Sequence, residues 1–202
     1  MKSNDNDVDG AIRIAEVIEA STTEFNSQCY SLYEAPALGS LIRAGDNNGI
    51  YGIVCESVTS SMDPSRHPIA RGQTELREED IYHSNPQLSR LLTTEFRAIT
   101  VGYVDDGGIH RILGPYPPRM HSFVYTARDR ELREFSLGLD FLPRLLSTSM
   151  DAQDDIIASF LLKASEAHSD PYGFRVKAGK ILATHMVGQL PRLNDLLRRM
   201  VV

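Results

Sequence analysis

The chain has 202 residues, 42% hydrophobic and 24% charged, enough to bury a core without disulfides and too apolar for a disordered chain. Its formal net charge of -6 speaks against nucleic-acid binding by whole-molecule electrostatics, because neutralising phosphates takes clustered Lys and Arg. Two cysteines, Cys29 and Cys55, exclude a disulfide framework, and the polar start and lack of any run of about 18 apolar residues leave no secretory leader or membrane helix to expect. A cytoplasmic setting is the expectation.

Residues 1–10 carry Asp and Asn with almost nothing to bury and read as a disordered lead-in. From Ile12 to Ala20 the apolar Ile12, Ile14, Val17 and Ile18 roughly alternate with Arg13, Glu16 and Glu19, which predicts a strand with a slip near Ala15. Ser21 to Glu24 is turn-like, and the stretch from Phe25 to Leu32 completes a hairpin. A strand at Ser40–Arg43, a turn at Gly45–Gly49 and a second strand at Ile50–Val58 follow. That last strand is apolar almost without interruption, as in a sheet covered on both faces.

Residues 59–77 have no period and contain Pro64, Pro68 and Gly72, so they leave the sheet as a long excursion. Within Asp80–Leu92 a short helix is predicted after Ser84-Asn85, with Pro86 in its first turn. Phe96–Tyr103 is a strand, Asp105–Gly108 a hairpin turn, Ile109–Leu113 the return strand and Met120–Tyr125 the last strand. After Thr126 the spacing becomes helical: a short helix around Leu137–Leu146, a clear one over 152–167 capped by Asp151, a third from Pro171 to Gln189 and a last from Leu190 to Val201. These elements predict an α+β fold. The expectation is a closed antiparallel β-barrel at 11–126, with the excursion at 59–92, followed by a C-terminal α-helical region at 127–202.

No chemistry-bearing constellation rises from this framework. No glycine-rich loop ends in Lys and Ser or Thr, as nucleotide hydrolysis requires, and no Gly-x-Ser-x-Gly elbow is present. Six histidines are spread without metal-site spacing; His110 and His121 could meet across neighbouring strands, though solvated or satisfied core positions are the commoner outcome. Asp105-Asp106 sits in the best hairpin turn, where Asp is favoured for backbone reasons. No catalytic residue, metal ligand or cofactor is therefore expected.

Two regions suit a protein partner. In the excursion, Arg66 and Arg71 precede the acidic run that contains Glu79, with Tyr82 beside it; this suits docking by complementary charge, against the blander reading of a solvated loop with internal ion pairs. In the last helix Leu193, Leu196, Leu197 and Met200 share a side, and Arg192, Arg198 and Arg199 either meet a partner or complement the helix dipole of a core-packed terminal helix. Tyr51, Phe96, Tyr103 and Tyr116 are candidate stacking surfaces for a small molecule or a single-stranded nucleic acid, although barrel cores need the same residues.

The order Ile14–Phe25, then Gly39-Ser40-Leu41-Ile42-Arg43, then Ile50-Tyr51-Gly52-Ile53-Val54, resembles the HAS barrel, the module shared by HerA-type translocases and the crown of rotary ATP synthase subunits. Glu79–Leu88, Thr94-Glu95-Phe96 and Leu190–Asn194 are similar to stand-alone cyanobacterial-type HAS-barrel proteins. The resemblance covers about residues 11–126 and implies a ring-forming or partner-docking module beside a P-loop ATPase or another ring complex, with a homo-oligomer open. It implies no motor activity, since the P-loop ATPase signature is missing from this sequence.

Overall fold

A computed structural model describes residues 12–46, 48–150 and 152–200. The predicted lead-in at 1–10 and the cap Asp151 lie outside the described residues. Seven strands form one antiparallel sheet: β1 (Arg13–Ala20), β2 (Glu24–Cys29), β3 (Leu41–Ala44), β4 (Ile50–Ser61), β5 (Leu92–Asp105), β6 (Gly108–His110) and β7 (Phe123–Thr126). The pairings run β1 to β2, β2 to β5, β5 to β4, β4 to β3, β3 to β7 and β7 back to β1, a ring-like circuit. β6 adds to β5 beyond the stretch that β2 occupies. The slip expected near Ala15 is present where β1 meets β7, between Arg13 and Ala15.

Alternation along the strands separates two cores. Val17, Phe25, Ile42, Val54, Phe96, Ala98 and Val124 fill one inside the ring. Leu41, Tyr51, Ile53, Cys55, Ile99 and Val101 point the other way and pack against helices. This accounts for the apolar run in the first half of β4, where Tyr51 to Cys55 are buried on both faces, whereas Glu56 to Ser60 are exposed. Gly52 is needed on the inner face: a Cβ there would lie 2.8 Å from the Phe25 ring and 2.9 Å from the Ala98 Cβ.

Five helices follow β7: α3 (Asp129–Ser136), α4 (Leu142–Ser147), α5 (Gln153–Ala167), α6 (Pro171–His185) and α7 (Leu190–Arg199). The stripe Ile156, Ile157, Phe160, Leu161 and Ala164 of α5 is wholly buried, as its spacing predicts. Gly39 lies at φ +74°, and a Cβ there would come within 2.7 Å of the Phe160 amide nitrogen, so the chain entering β3 can press on α5 only as glycine. Asp170 caps α6 by accepting from the Gly173 amide at 2.9 Å, with Pro171 opening the helix. Among the described residues no helix is long and apolar enough to cross a membrane.

Several boundaries differ from expectation. α3 is a helix where none was predicted; its sequence DRELREFS is mostly charged, and only Phe135 and Ser136 are buried. β6 stops at His110, short of the expected Leu113, and the Arg111 guanidinium just beyond it donates to the carbonyls of Phe135 (2.5 Å) and Glu134 (2.6 Å) in α3. The short helix expected after Ser84-Asn85 is α2 (Leu88–Leu91), and a further helix that was not expected, α1 (Glu78–Ser84), precedes it. Pro86 separates them, lacking the N–H that would continue α1, and the Asn85 side chain donates to the Ile81 carbonyl at 3.0 Å to close α1. β4 runs on to Ser61 and β5 starts at Leu92, so the excursion spans 62–91 rather than 59–92.

Candidate functional site

The excursion is carried by a two-stranded arm. β4 pairs with β3 only from Ile50 to Ile53, and its last bonds on that edge join Val54 to Gly39 and Ser40. A register shift follows between Val54 and Glu56, where an extra residue bends the strand away. Beyond it β4 keeps only β5 as a neighbour, pairing out to Ser61 against Leu92. The arm is tied to the body by hydroxyls: Thr94 accepts from the Tyr33 amide (2.9 Å) and meets Thr59 (2.8 Å), while Gln28 donates to Thr93 (2.7 Å). Threonine and glutamine suit these positions because their polar atoms are satisfied across the strands rather than by water.

At the tip of the arm, α1 and α2 contain no buried residue. Met62, Ile69, Leu76 and Leu91 are exposed, Leu76 by 97%. Met62, Ile69, Pro68, Leu88 and Leu91 border a shallow cavity of about 210 Å³ together with Arg66 and Arg71. Arg66 is ion-paired with Asp63 at 3.1 Å. Asp63 also accepts from the Ser65 hydroxyl and amide, which holds its carboxyl below the usual range. Arg71 donates to Asn85 at 3.3 Å. The carbonyl of Glu79 accepts from His83 at 3.0 Å, and its side chain is exposed. Tyr82 bonds through its hydroxyl to Tyr33, the two rings standing edge to face, which links α1 to the segment that follows β2. Tyr33 holds φ at 65°, a left-handed backbone unusual for an aromatic residue.

The tail arginines lie elsewhere. Arg192 of α7 grips Asp154 at 2.7 Å and Gln153 at 2.5 Å in the first turn of α5, and Arg199 bonds Asp155 in the same turn. Arg198 has only the weaker Asp195 contact at 3.7 Å and remains 82% exposed. Thus the structure joins α7 to α5 through Arg192 and Arg199, and no hydrogen bond or ion pair among the described residues joins the tail to the arm.

A second concavity, about 600 Å³ in volume, lies between the β3–β4 turn and the proline-rich segment 115–118. Tyr103, Tyr116 and Phe123 line it, with Asp46, Asp105, Arg119 and His121 among its polar groups. Of the four aromatic residues weighed as stacking surfaces, Tyr51 and Phe96 are core residues, each at most 3% exposed, and only Tyr103 and Tyr116 reach the cavity. His110 and His121 do not meet: the first pairs with Asp105 at 2.9 Å and the second with Glu16 at 3.2 Å. The bonds from His110 and the Gly107 amide hold the Asp105 carboxyl below its ordinary range.

Nucleophile chemistry finds little support among the described residues. Burial pushes the Cys29 and Cys55 thiols up to about 11, so each is protonated and unreactive at neutral pH. One pair escaped sequence reasoning: Ser136 Oγ lies 2.8 Å from His168 Nε2 across 32 residues. Ser136 is fully buried and its hydroxyl also reaches the Leu132 carbonyl at 2.7 Å, so the pair ties the end of α3 to the end of α5. His168 stacks on Phe174 with centroids 4.4 Å apart; burial, then Arg133 and Lys177, lower its pKa. Among the described residues no three His, Cys, Asp or Glu side chains gather as a metal site. No protein-family model matches the chain, and no curated protein matches it.

Proposed function

We propose that this protein is a non-enzymatic adaptor of the HAS-barrel kind that docks onto a partner protein, a P-loop ATPase or another ring complex, through the arm at 62–91. The ring-like circuit of strands supports the barrel part of this reading. The docking part rests on one observation: no residue of α1 or α2 is buried, and their apolar Ile81 and Leu88 are only half-buried. Ordering a residue costs on the order of 1 kcal/mol in backbone entropy, and helices this short gain too little alone to offset it. Exposed Met62, Ile69, Leu76 and Leu91 beside Arg66, Arg71 and the acidic first turn Glu78, Glu79 and Asp80 provide an apolar centre with a charged rim, the usual composition of a protein interface. Tyr82 sets the helix against Tyr33, and Arg198 is the tail residue left free to add a contact.

The test compares proteins retained from cells by the wild type and by a variant carrying Leu76→Asp and Ile69→Asp, both exposed positions whose change leaves the fold intact. Retention of a P-loop ATPase by the wild type, reduced about tenfold or more by the variant, is expected. Equal retention by both proteins, or no retained ATPase or ring component, overturns the reading.

The cavity at Tyr103 and Tyr116 favours a second reading, a small-molecule site. Tyr103 and Tyr116 reach it beside the carboxylates of Asp46 and Asp105 and the guanidinium of Arg119, an apolar and polar mixture suited to a small ligand. Ligand screening by NMR, with shifts at Tyr103 lost in Tyr116→Ala, tests it; the absence of any ligand that shifts these residues counts against it.

A further inference from the structure

Past its bulge, β4 leaves an open strand edge. The Met62 amide donates to the Leu91 carbonyl at 2.9 Å. By the alternation of antiparallel pairs, Ser60, Val58 and Glu56 also face β5, and the N–H and C=O groups of Ser57, Thr59 and Ser61 face outward. No backbone hydrogen bond among the described residues reaches those outward groups. Glu56 to Ser60 are exposed and Ser61 is half-buried. The matching edge of β5 is covered instead by β2 and by Tyr33 bonding to Thr94.

Edges of this kind are normally blunted by lysine, proline or a further bulge. Ser57-Val58-Thr59-Ser60-Ser61 contains none of these and no charge. We propose that this edge pairs antiparallel with the same edge of a second copy of the chain, about a two-fold axis at Thr59. The register then sets Ser57 opposite Ser61 of the second copy and Thr59 opposite itself, forming about six backbone hydrogen bonds. Val58 falls opposite Ser60 of the second copy and diagonal to its own mate, covering an aliphatic side chain now 49% exposed.

Self-complementarity favours a second copy as the occupant, because the outward residues Ser57, Thr59 and Ser61 match themselves about Thr59 and charge does not oppose the pairing. The chain's net charge of -6 repels a second copy in general, and this edge is an uncharged window in that surface. The ion pairs flanking it are compensated: Glu56 with Arg97 at 3.0 Å on one side, Asp63 with Arg66 at 3.1 Å on the other. In the two-fold register Glu56 meets Met62 of the second copy, so no like charges oppose each other across the axis. Since the edge begins where β3 has ended, the arm brings two rings together without either sheet opening. The pairing does not involve the exposed faces of α1 and α2, so it stands or falls apart from docking to a partner.

Sedimentation and light scattering of the full chain over rising concentration test the proposal, alongside oxidation of a Thr59→Cys variant. A concentration-dependent dimer is expected, its Kd raised about tenfold or more by Val58→Lys, which sets two ammonium groups diagonally across the axis. Two Cα atoms in such a pair lie about 5.5 Å apart, within disulfide reach, so Thr59→Cys forms a covalent dimer while the wild type, with its native cysteines, forms none. If circular dichroism shows Val58→Lys unfolded, Ser60→Lys at an exposed neighbouring position is read instead. A strict monomer up to about 500 μM overturns the proposal. So does a dimer that ignores the lysine and fails to cross-link at position 59.

Discussion

Phe135, Phe141 and Phe160 are buried between the ring and its helices, whereas Ile69, Leu76 and Leu91, of comparable apolar character, stand in solvent on the arm. The difference lies in what each segment can reach. α3, α4 and α5 lie on a sheet face already apolar through Tyr51, Ile53, Ile99 and Val101, so each buried ring contributes about 2–3 kcal/mol. The arm has left the sheet behind at its bulge and offers α1 and α2 only two strands with polar or exposed side chains. The body is thus held by its own packing, and the arm by its β4–β5 ladder and a few hydroxyl bonds at its base, with no buried residue in α1 or α2.

Substitutions in the two regions put that contrast to measurement. Phe160→Ala, which removes a buried ring standing edge to face with Phe141 at 5.3 Å, is expected to cost about 3–5 kcal/mol in chemical denaturation. Leu76→Ala in the arm is expected to change stability by no more than about 0.5 kcal/mol. Equal losses would mean that the arm shares the core. Next comes the polar joint between the two layers. Glu131 of α3 accepts from Arg43 at 3.0 Å and from Tyr51 at 2.8 Å, and burial followed by this carboxylate raises the Tyr51 pKa. Glu131→Ala leaves both donors without their acceptor, at a cost of about 2–3 kcal/mol by the same assay.

Replacing residues 62–91 by a short turn between Ser61 and Leu92 is expected to shift stability by about 1 kcal/mol or less, since only loop closure and tip contacts change. The same replacement should abolish retention of a partner, and a large loss of stability instead would make the arm part of the fold. The smallest effect is a pH dependence. His168 is held below its unfolded pKa of about 6.5, so the unfolded chain binds the proton more readily. Its contribution to stability is full above that value and is lost as pH falls through the interval down to the folded pKa. Melts of the wild type and His168→Gln from pH 7.5 to 5 should diverge in that direction only, with the variant flatter.

Much of this layout was legible in local pattern. The continuous apolar run of β4, the Gly45–Gly49 turn, the Asp105–Gly108 hairpin and the α5 stripe declare themselves because period and turn chemistry are properties of neighbours in sequence. α3 was illegible because only two of its residues are buried, and the remainder shows no apolar stripe. The arm was visible only as a segment without period. That Arg192 and Arg199 serve α5 while Arg198 does not depends on where Asp154 and Asp155 sit in space.

By itself the sequence determined a β-rich first part, a helical second part and the excursion between β4 and β5, through spacing, turn residues and hydrophobic content. Tertiary structure alone decided the rest: which face of each strand looks into the ring and which toward the helices, and the Ser136–His168 pairing. It also decided that β4 outlives its pairing with β3, leaving the edge from Ser57 to Ser61 open. Each of these depends on groups distant along the chain meeting in space, and a strand carries no local mark of which neighbour will cover its edge.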